Sequence, residues 1–94
     1  WVCGLVNSFP KEAVRLFQLA RAGKVDEAYA LYKWFMPLLH LDVDVKLVQM
    51  IKLANQMTGE GSEVVRPPRM VLSGDERAMV EAVVTHALEN RPKL

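Results

Sequence analysis

Cysteine is nearly absent from this chain of 94 residues, and so is any excess of charge of one sign. The single cysteine, Cys3, cannot form a disulfide within the chain, which fits a reducing, cytoplasmic setting and provides no cluster of thiol ligands for a metal. Twelve basic and eleven acidic residues give a net charge of +1. A balance this even argues against a dedicated nucleic-acid binder, so we expect no nucleic-acid partner.

Long apolar runs are missing as well. No run approaches the roughly 20 residues of a membrane-spanning helix, so we expect no membrane partner. The first residues have neither the basic start nor the long apolar stretch of a secretory signal. The chain begins with Trp1 rather than Met, which indicates a processed, cut or excerpted chain. Hydrophobic residues make up 51% of the sequence, which is enough for the core of one small domain.

The only predicted β-strand lies at the start of the chain. Residues 1–6 are continuously apolar apart from one glycine, which is typical of a strand buried on both faces of a parallel sheet. Asn7 and Ser8 end this strand with polar side chains, and Pro10 suits the first turn of a helix. A lone strand cannot satisfy its own backbone N–H and C=O groups. We therefore expect it to pair with residues outside this chain.

Four helices are predicted after the strand, because apolar residues recur at helical spacing in each of them. In the first helix the predicted apolar face includes Ala13, Leu16, Phe17 and Ala20. Pro37 is expected to kink the second helix, or to end it at about residues 35–36. The four predicted helices span about residues 10–22, 26–36, 44–58 and 73–89.

Several residues predict where these helices begin and end. Gly23 and Gly59 suit the left-handed position that closes a helix. Ser73 and Glu76 have the spacing of a capping box, and Asp44 is a good N-cap for the third helix. Residues 60–72 are rich in glycine and proline, so we predict an extended, partly polyproline-like loop. The sequence therefore predicts a mostly α fold, with one strand followed by four helices.

Side chains capable of chemistry are scattered rather than clustered. His40 and His86 lie on different predicted elements without a cysteine or a carboxylate pair beside them, so we expect neither a metal site nor a catalytic triad. Lys46 and Lys52 lie on the third helix. We interpret Lys52 as a partly buried stem with its charge at the surface, rather than as a nucleophile. We assign no catalytic residue, metal ligand or cofactor to this segment.

Two polar pairs are further candidates for binding. Arg66 and Arg69 flank paired prolines and have the chemistry of an anion site, but we expect them to bond carbonyls or carboxylates across a rigid loop. Asn7 and Ser8 lie at the carboxyl end of the predicted strand, where barrels and open α/β sheets place ligands. If the strand belongs to a barrel, these two residues are candidates to line the substrate site.

One pattern favours a different class of protein. Residues 22–28, followed by Tyr32 and Pro37, resemble a tetratricopeptide unit, in which a glycine turn precedes an alanine, an aromatic residue and a proline. No second copy follows at the period of about 34 residues that such repeats have, and these arrays need several repeats. A stand-alone helical module for protein interaction is therefore the alternative interpretation.

The order of the elements, together with three strings, resembles the C-terminal third of the dihydrodipicolinate synthase / N-acetylneuraminate lyase family. The first string is similar to the eighth barrel strand of that family, the second to its glycine-linked helix pair and the third to the stretch before its last helix. The strings are residues 4–10 (GLVNSFP), residues 22–28 with 36–38 (MPL), and residues 51–59 with 65–68 (VRPP).

This resemblance implies a (β/α)₈ TIM barrel, with residues 1–22 as its last strand and helix and residues 23–94 as a C-terminal helical appendage. Family members are class I lyases, often tetramers, in which a barrel lysine forms a Schiff base with pyruvate or another 2-oxo acid. That lysine and the proton-shuttling tyrosine lie on earlier strands, so the resemblance implies an inactive segment of a cytoplasmic homo-oligomer. Lys52 matches a lysine of the appendage. Residues 39–42 and 66–69 resemble a dehydratase or deaminase branch.

Overall fold

The computed structural model describes residues 3–93, and its regular structure is helical throughout that range. This confirms the prediction of a mostly α chain with four helices. None of the helices in residues 3–93 is both long and apolar enough to cross a bilayer. The elements are a first 3₁₀ turn (Gly4–Asn7), α1 (Pro10–Arg21), α2 (Val25–Leu39), a second 3₁₀ turn (His40–Val43), α3 (Leu47–Thr58) and α4 (Gly74–Glu89).

A strand is predicted for residues 1–6, of which Trp1 and Val2 lie outside the described range. For the described residues the prediction is wrong, because Gly4–Asn7 forms a 3₁₀ turn. Residues 3–93 contain no strand with which an extended segment would pair. In the turn, backbone groups find hydrogen-bond partners within the same segment. The Leu5 carbonyl accepts hydrogen bonds from the N–H groups of Ser8 and Phe9 at 3.1 and 2.9 Å. The apolar character is still used, because Leu5 is fully buried in the helical core.

The link between α1 and α2 follows the prediction closely. Gly23 has a positive φ of 76°, which side chains with a Cβ rarely adopt. The Lys24 N–H bonds the Leu19 carbonyl at 3.0 Å, and the Gly23 N–H bonds that of Ala20 at 3.1 Å. These two bonds form a Schellman motif, which satisfies carbonyls at the end of α1 and lets α2 fold back along it.

Pro37 does not end α2, so of the two predicted outcomes the end at residues 35–36 is wrong, and the helix continues past the proline. The helix continues to Leu39 with Pro37 inside it. Proline costs a helix interior about 3 kcal/mol. Phe35 and Leu38, on either side of it, are both fully buried. Burial of two such side chains contributes about 3–6 kcal/mol, which is enough to offset that cost.

The starts of α3 and α4 differ in detail from the prediction. Helix α3 begins at Leu47, three residues after Asp44. Asp44 Oδ1 accepts a hydrogen bond from the Lys46 N–H at 2.9 Å, so Asp44 stabilises the turn that leads into α3 instead of capping the helix. Ser73 is the N-cap of α4 as predicted, but its hydroxyl makes no capping hydrogen bond. Glu76 binds the Lys46 Nζ at 2.6 Å. This charge-assisted bond competes with the backbone, so the capping box is not formed.

An aromatic cluster lies where α1, α2 and α4 meet. Phe9 and Phe35 are fully buried, and the Phe9 ring lies edge-on to Trp34 with their centroids 5.6 Å apart. The Trp34 indole N–H donates to the Ala87 carbonyl at 3.0 Å, which ties α2 to α4. Edge-to-face pairs favour one arrangement of rings over others, so this cluster fixes how the helices pack.

Residues 60–72 contain neither helix nor strand, as predicted, and a polar network fastens them to α3 and α4. Arg77 of α4 holds the Glu63 carboxylate through both terminal guanidinium nitrogens, one at 3.0 Å from Oε2. The Gln56 amide of α3 donates to the same carboxylate at 2.7 Å. Arg77 Nε also lies 2.8 Å from Glu81 Oε1. The loop between the two helices is thereby held at Glu63.

This network predicts how stability depends on pH. The hydrogen bonds from Arg77, with a further one from Gln56, hold the pKa of Glu63 below its ordinary value of 4.5. The contribution of Glu63 to stability is therefore complete above its unfolded pKa and is lost as the pH falls through the depressed folded pKa. We expect the stability difference between the parent chain and Glu63→Gln to be constant above about pH 5 and to shrink below about pH 4.

Urea denaturation, followed by circular dichroism at a series of pH values, measures this difference. Glu89→Gln is the matched control, because Glu89 is exposed and lies outside the network. The control difference is expected to stay flat over the same range. A Glu63→Gln difference that is equally flat would contradict the prediction.

Candidate functional site

The first 3₁₀ turn carries both residues predicted to line a substrate site, and it places them differently. Asn7 is exposed, and its side-chain amide donates to the Gly4 carbonyl at 2.9 Å. Ser8 is fully buried, and its hydroxyl donates to the side-chain oxygen of Asn55 on α3. Asn7 therefore remains accessible at the surface, whereas Ser8 fastens the turn to the helical core.

A second contact holds the start of the same turn. The Gly4 N–H donates to Asp42 Oδ2 at 2.9 Å, and Asp42 lies in the second 3₁₀ turn. A Cβ at Gly4 would overlap the Asp42 carboxylate and lie 2.8 Å from the Ile51 side chain. Glycine is required here because only a residue without a Cβ allows this close approach.

The sequence did not reveal these two partners of the turn. Asp42 lies 38 residues from Gly4, and Asn55 lies 47 residues from Ser8. Hydrogen bonds over such separations leave no periodic pattern in a single sequence. The glycine inside an apolar run was the one local signal, because such a glycine indicates close approach of other atoms.

An uncovered apolar surface lies beside the turn, on the side of α1 that points away from the core. We call it the outer α1 face; it comprises Cys3, Val6, Val14 and Phe17. Val6, Val14 and Phe17 are 39%, 52% and 45% exposed, and with Ala13 the face forms a groove of about 290 Å³. Apolar side chains that are uncovered and lie together are available to pack against further structure.

The outer α1 face corrects the predicted orientation of α1. Ala13 and Leu16 are buried as predicted, but Phe17 and Ala20 are exposed. The buried face instead includes Leu19, together with the carboxylate of Glu12. The helical period is therefore right, but the buried stripe is rotated, because α1 carries apolar residues on two sides and the sequence does not distinguish which side meets the core.

A buried ion pair fixes the start of α1 next to the turn. Glu12 is only 2% exposed, and Arg91 binds its two carboxylate oxygens at 2.8 and 3.1 Å. The Arg91 guanidinium carbon also lies 5.3 Å from the centre of the Phe9 ring. Hydrogen bonding to Glu12 raises the pKa of Arg91. Both carboxylate oxygens are occupied by the guanidinium, so the pair fixes the position of α1 relative to the residues after α4.

The remaining candidates from the sequence do not converge on a site. His40 and His86 are exposed and lie on different elements, and Lys52 is half-buried on α3. Arg66 and Arg69 are exposed, and within residues 3–93 no hydrogen bond or ion pair engages either guanidinium group. The expectation that these arginines bond carbonyls or carboxylates is therefore wrong. Over the same range, no group of three or more possible ligands is placed to hold a metal ion.

The first turn and the outer α1 face lie side by side, with an accessible amide at Asn7 beside an apolar groove. The sequence matches the model of the Dihydrodipicolinate synthetase family over residues 2–87, and the chain belongs to that family. The match contains all three strings on which the resemblance rests, and it supports the lyase class. No curated protein and no solved structure matches the chain.

Proposed function

We propose that this chain is the C-terminal segment of a class I lyase, which forms a Schiff base with pyruvate or a related 2-oxo acid. The reaction belongs to an aldolase, dehydratase or deaminase branch. The observation that carries the proposal is the family match over residues 2–87. In the proposed enzyme, a cytoplasmic homo-oligomer, residues 1–22 form the last strand and helix of a (β/α)₈ barrel. Residues 23–94 form an appended helical region that also packs in the oligomer, a tetramer by resemblance.

The outer α1 face supports the barrel assignment. In a (β/α)₈ barrel the helices form a ring around the strands, so each helix is covered by strands and by neighbouring helices. Val14 and Phe17 present the apolar surface that such packing needs, and here they are uncovered. In the proposed barrel, residues 4–7 form an extended strand rather than a 3₁₀ turn. Neighbouring strands on both sides supply the backbone hydrogen-bond partners that residues 3–93 lack.

The polar end of that strand is the proposed contribution to the substrate site. Active sites of such barrels lie at the carboxyl ends of the strands. Asn7 has its amide at the surface, where its Nδ2 donates to a carbonyl of its own turn, so extension of the segment frees this donor for a ligand. Ser8 already binds Asn55, and its proposed role is weaker for that reason. The segment supplies a wall of the site and no catalytic residue.

Reductive trapping tests the proposal. With pyruvate and sodium borohydride, we expect the intact enzyme to be labelled on a lysine outside this segment, because a Schiff base is reduced to a stable secondary amine. The 94-residue chain alone should carry no label. Peptide mapping by mass spectrometry locates the label, and a sample without pyruvate is the control. A trapped adduct on Lys46 or Lys52 of the chain alone would overturn the proposal.

A further inference from the structure

We propose that a second groove, between α2 and α4, binds a small aromatic carboxylate. The groove has a volume of about 530 Å³, and its walls include Trp34 and Pro37 from α2 and Val83 and Ala87 from α4. Small-molecule sites typically measure about 300–1,000 Å³ and combine apolar walls with a few polar groups. This site does not depend on the proposed lyase function, since it lies on other elements than the first turn.

The apolar part of the ligand is indicated by Trp34. Its indole N–H is already bonded to the Ala87 carbonyl at 3.0 Å, and its ring lies against that of Phe9. The indole is therefore fixed in place and presents an aromatic surface with no unsatisfied donor. Small side chains at Ala82 and Ala87 leave the space beside it. A flat aromatic ring fits such a wall, because offset stacking and burial of apolar area both favour it.

The polar part of the ligand is indicated by the remaining lining residues. Lys33 lines the groove, and its Nζ lies 4.6 Å from the centre of the Tyr29 ring, which is not among the lining residues. A cation–π contact at an exposed site contributes only about 0.5–1 kcal/mol, so an anion in the groove has a weak contact to replace. At the end of α4, the Asn90 side-chain amide donates to the His86 carbonyl at 2.9 Å and lies 3.3 Å from His86 Nδ1, so these two residues bond each other. No acidic residue of the described chain is among those that line the groove. The charge therefore favours an anion, and the walls favour a ring.

Binding is measured by ¹⁵N NMR of the 94-residue chain, through the Trp34 indole N–H and the Val83 amide, with 1-naphthoate as the probe. The neutral 1-naphthalenemethanol has the same rings without the charge. We expect saturable shifts with both ligands and about fivefold tighter binding of the naphthoate, which is the contribution of an exposed ion pair. Ala82→Leu fills the groove and should abolish both titrations.

Two lysine variants separate the proposed site from general attraction of an anion. Lys33→Gln should remove the fivefold preference for naphthoate, whereas Lys11→Gln, which removes an exposed lysine of α1, should retain it. The proposal is overturned if neither signal shifts saturably, or if the preference survives Lys33→Gln. Shifts that depend on protein concentration alone would also overturn it, because they would show a second copy of the chain in the groove.

Discussion

Arg91→Ala is expected to destabilise the chain by about 3 kcal/mol, because it leaves the Glu12 carboxylate buried without its partner. Arg91 bonds both oxygens of a carboxylate that is only 2% exposed. Loss of one partner from a buried pair typically costs about 3–5 kcal/mol. We expect the lower end of this range, since the Arg91 side chain is itself 37% exposed and water can enter where it is removed.

Urea denaturation at neutral pH measures this loss, and Lys46→Ala is the matched control. Lys46 also pairs with a glutamate, Glu76, at 2.6 Å, but the two side chains are 44% and 48% exposed. An exposed pair of this kind contributes at most about 1 kcal/mol. Each variant removes one cation, so the change in net charge is the same. The glutamate left behind is buried in one case and exposed in the other, and Arg91→Ala also removes the contact with the Phe9 ring.

A double variant separates the cost of an unpaired charge from the value of the pair. Arg91→Leu combined with Glu12→Leu replaces both charges by apolar groups, and we expect it to be more stable than Arg91→Ala alone. An Arg91→Ala variant that loses no more stability than Lys46→Ala would contradict the assignment of Glu12 as a buried, paired carboxylate.

The Glu12–Arg91 pair has a consequence for the proposed enzyme. It joins the first turn of α1 to the residues that follow α4, across 79 positions of sequence. Residue 12 lies in the proposed barrel and residue 91 in the proposed appendage. The pair therefore provides a direct, geometrically specific link between the two regions, placed a few residues from Asn7.

Much of the helical architecture was predictable because its signals are local. The period of apolar residues located α1 to α4, and Gly23 and Gly59 marked the ends of helices at positive φ. Ser73 marked the start of α4 within one residue. Each of these signals depends on neighbours within one or two turns of the same helix. The predicted capping box of α4 did not form, because the Glu76 carboxylate binds the distant Lys46 ammonium instead of the backbone near Ser73.

The first turn was not predictable, because a short apolar run is equally compatible with a buried strand and with a buried turn. A buried strand and a buried turn both require apolar side chains, and hydrogen-bond partners decide between them. Those partners are Asp42 and Asn55, on distant elements. The role of Asn7 and Ser8 at a substrate site stays a prediction, and the sequence did not reveal that of these two neighbours only Asn7 is exposed.

Leu5→Ala is expected to destabilise the chain by about 3 kcal/mol, within the range of about 2–5 kcal/mol for removal of a buried leucine side chain. Leu5 is fully buried, whereas the adjacent Val6 is 39% exposed on the outer α1 face. Val6→Ala is therefore the matched control, and it should reduce the free energy of unfolding by less than about 1 kcal/mol. Thermal and urea denaturation measure both. Equal, small effects would mean that residues 1–7 are a loose arm, as in a stand-alone helical module.

The same two variants distinguish the turn from a strand in the intact enzyme. In a strand, successive side chains point to opposite faces, and a barrel strand is covered on both of them. Val6 would then be buried like Leu5, and we expect the cost of Val6→Ala to rise toward that of Leu5→Ala. In the 94-residue chain the large difference should persist, because Val6 is 39% exposed there and Leu5 is fully buried. An unchanged difference in the intact enzyme would contradict the proposal that this segment closes the barrel.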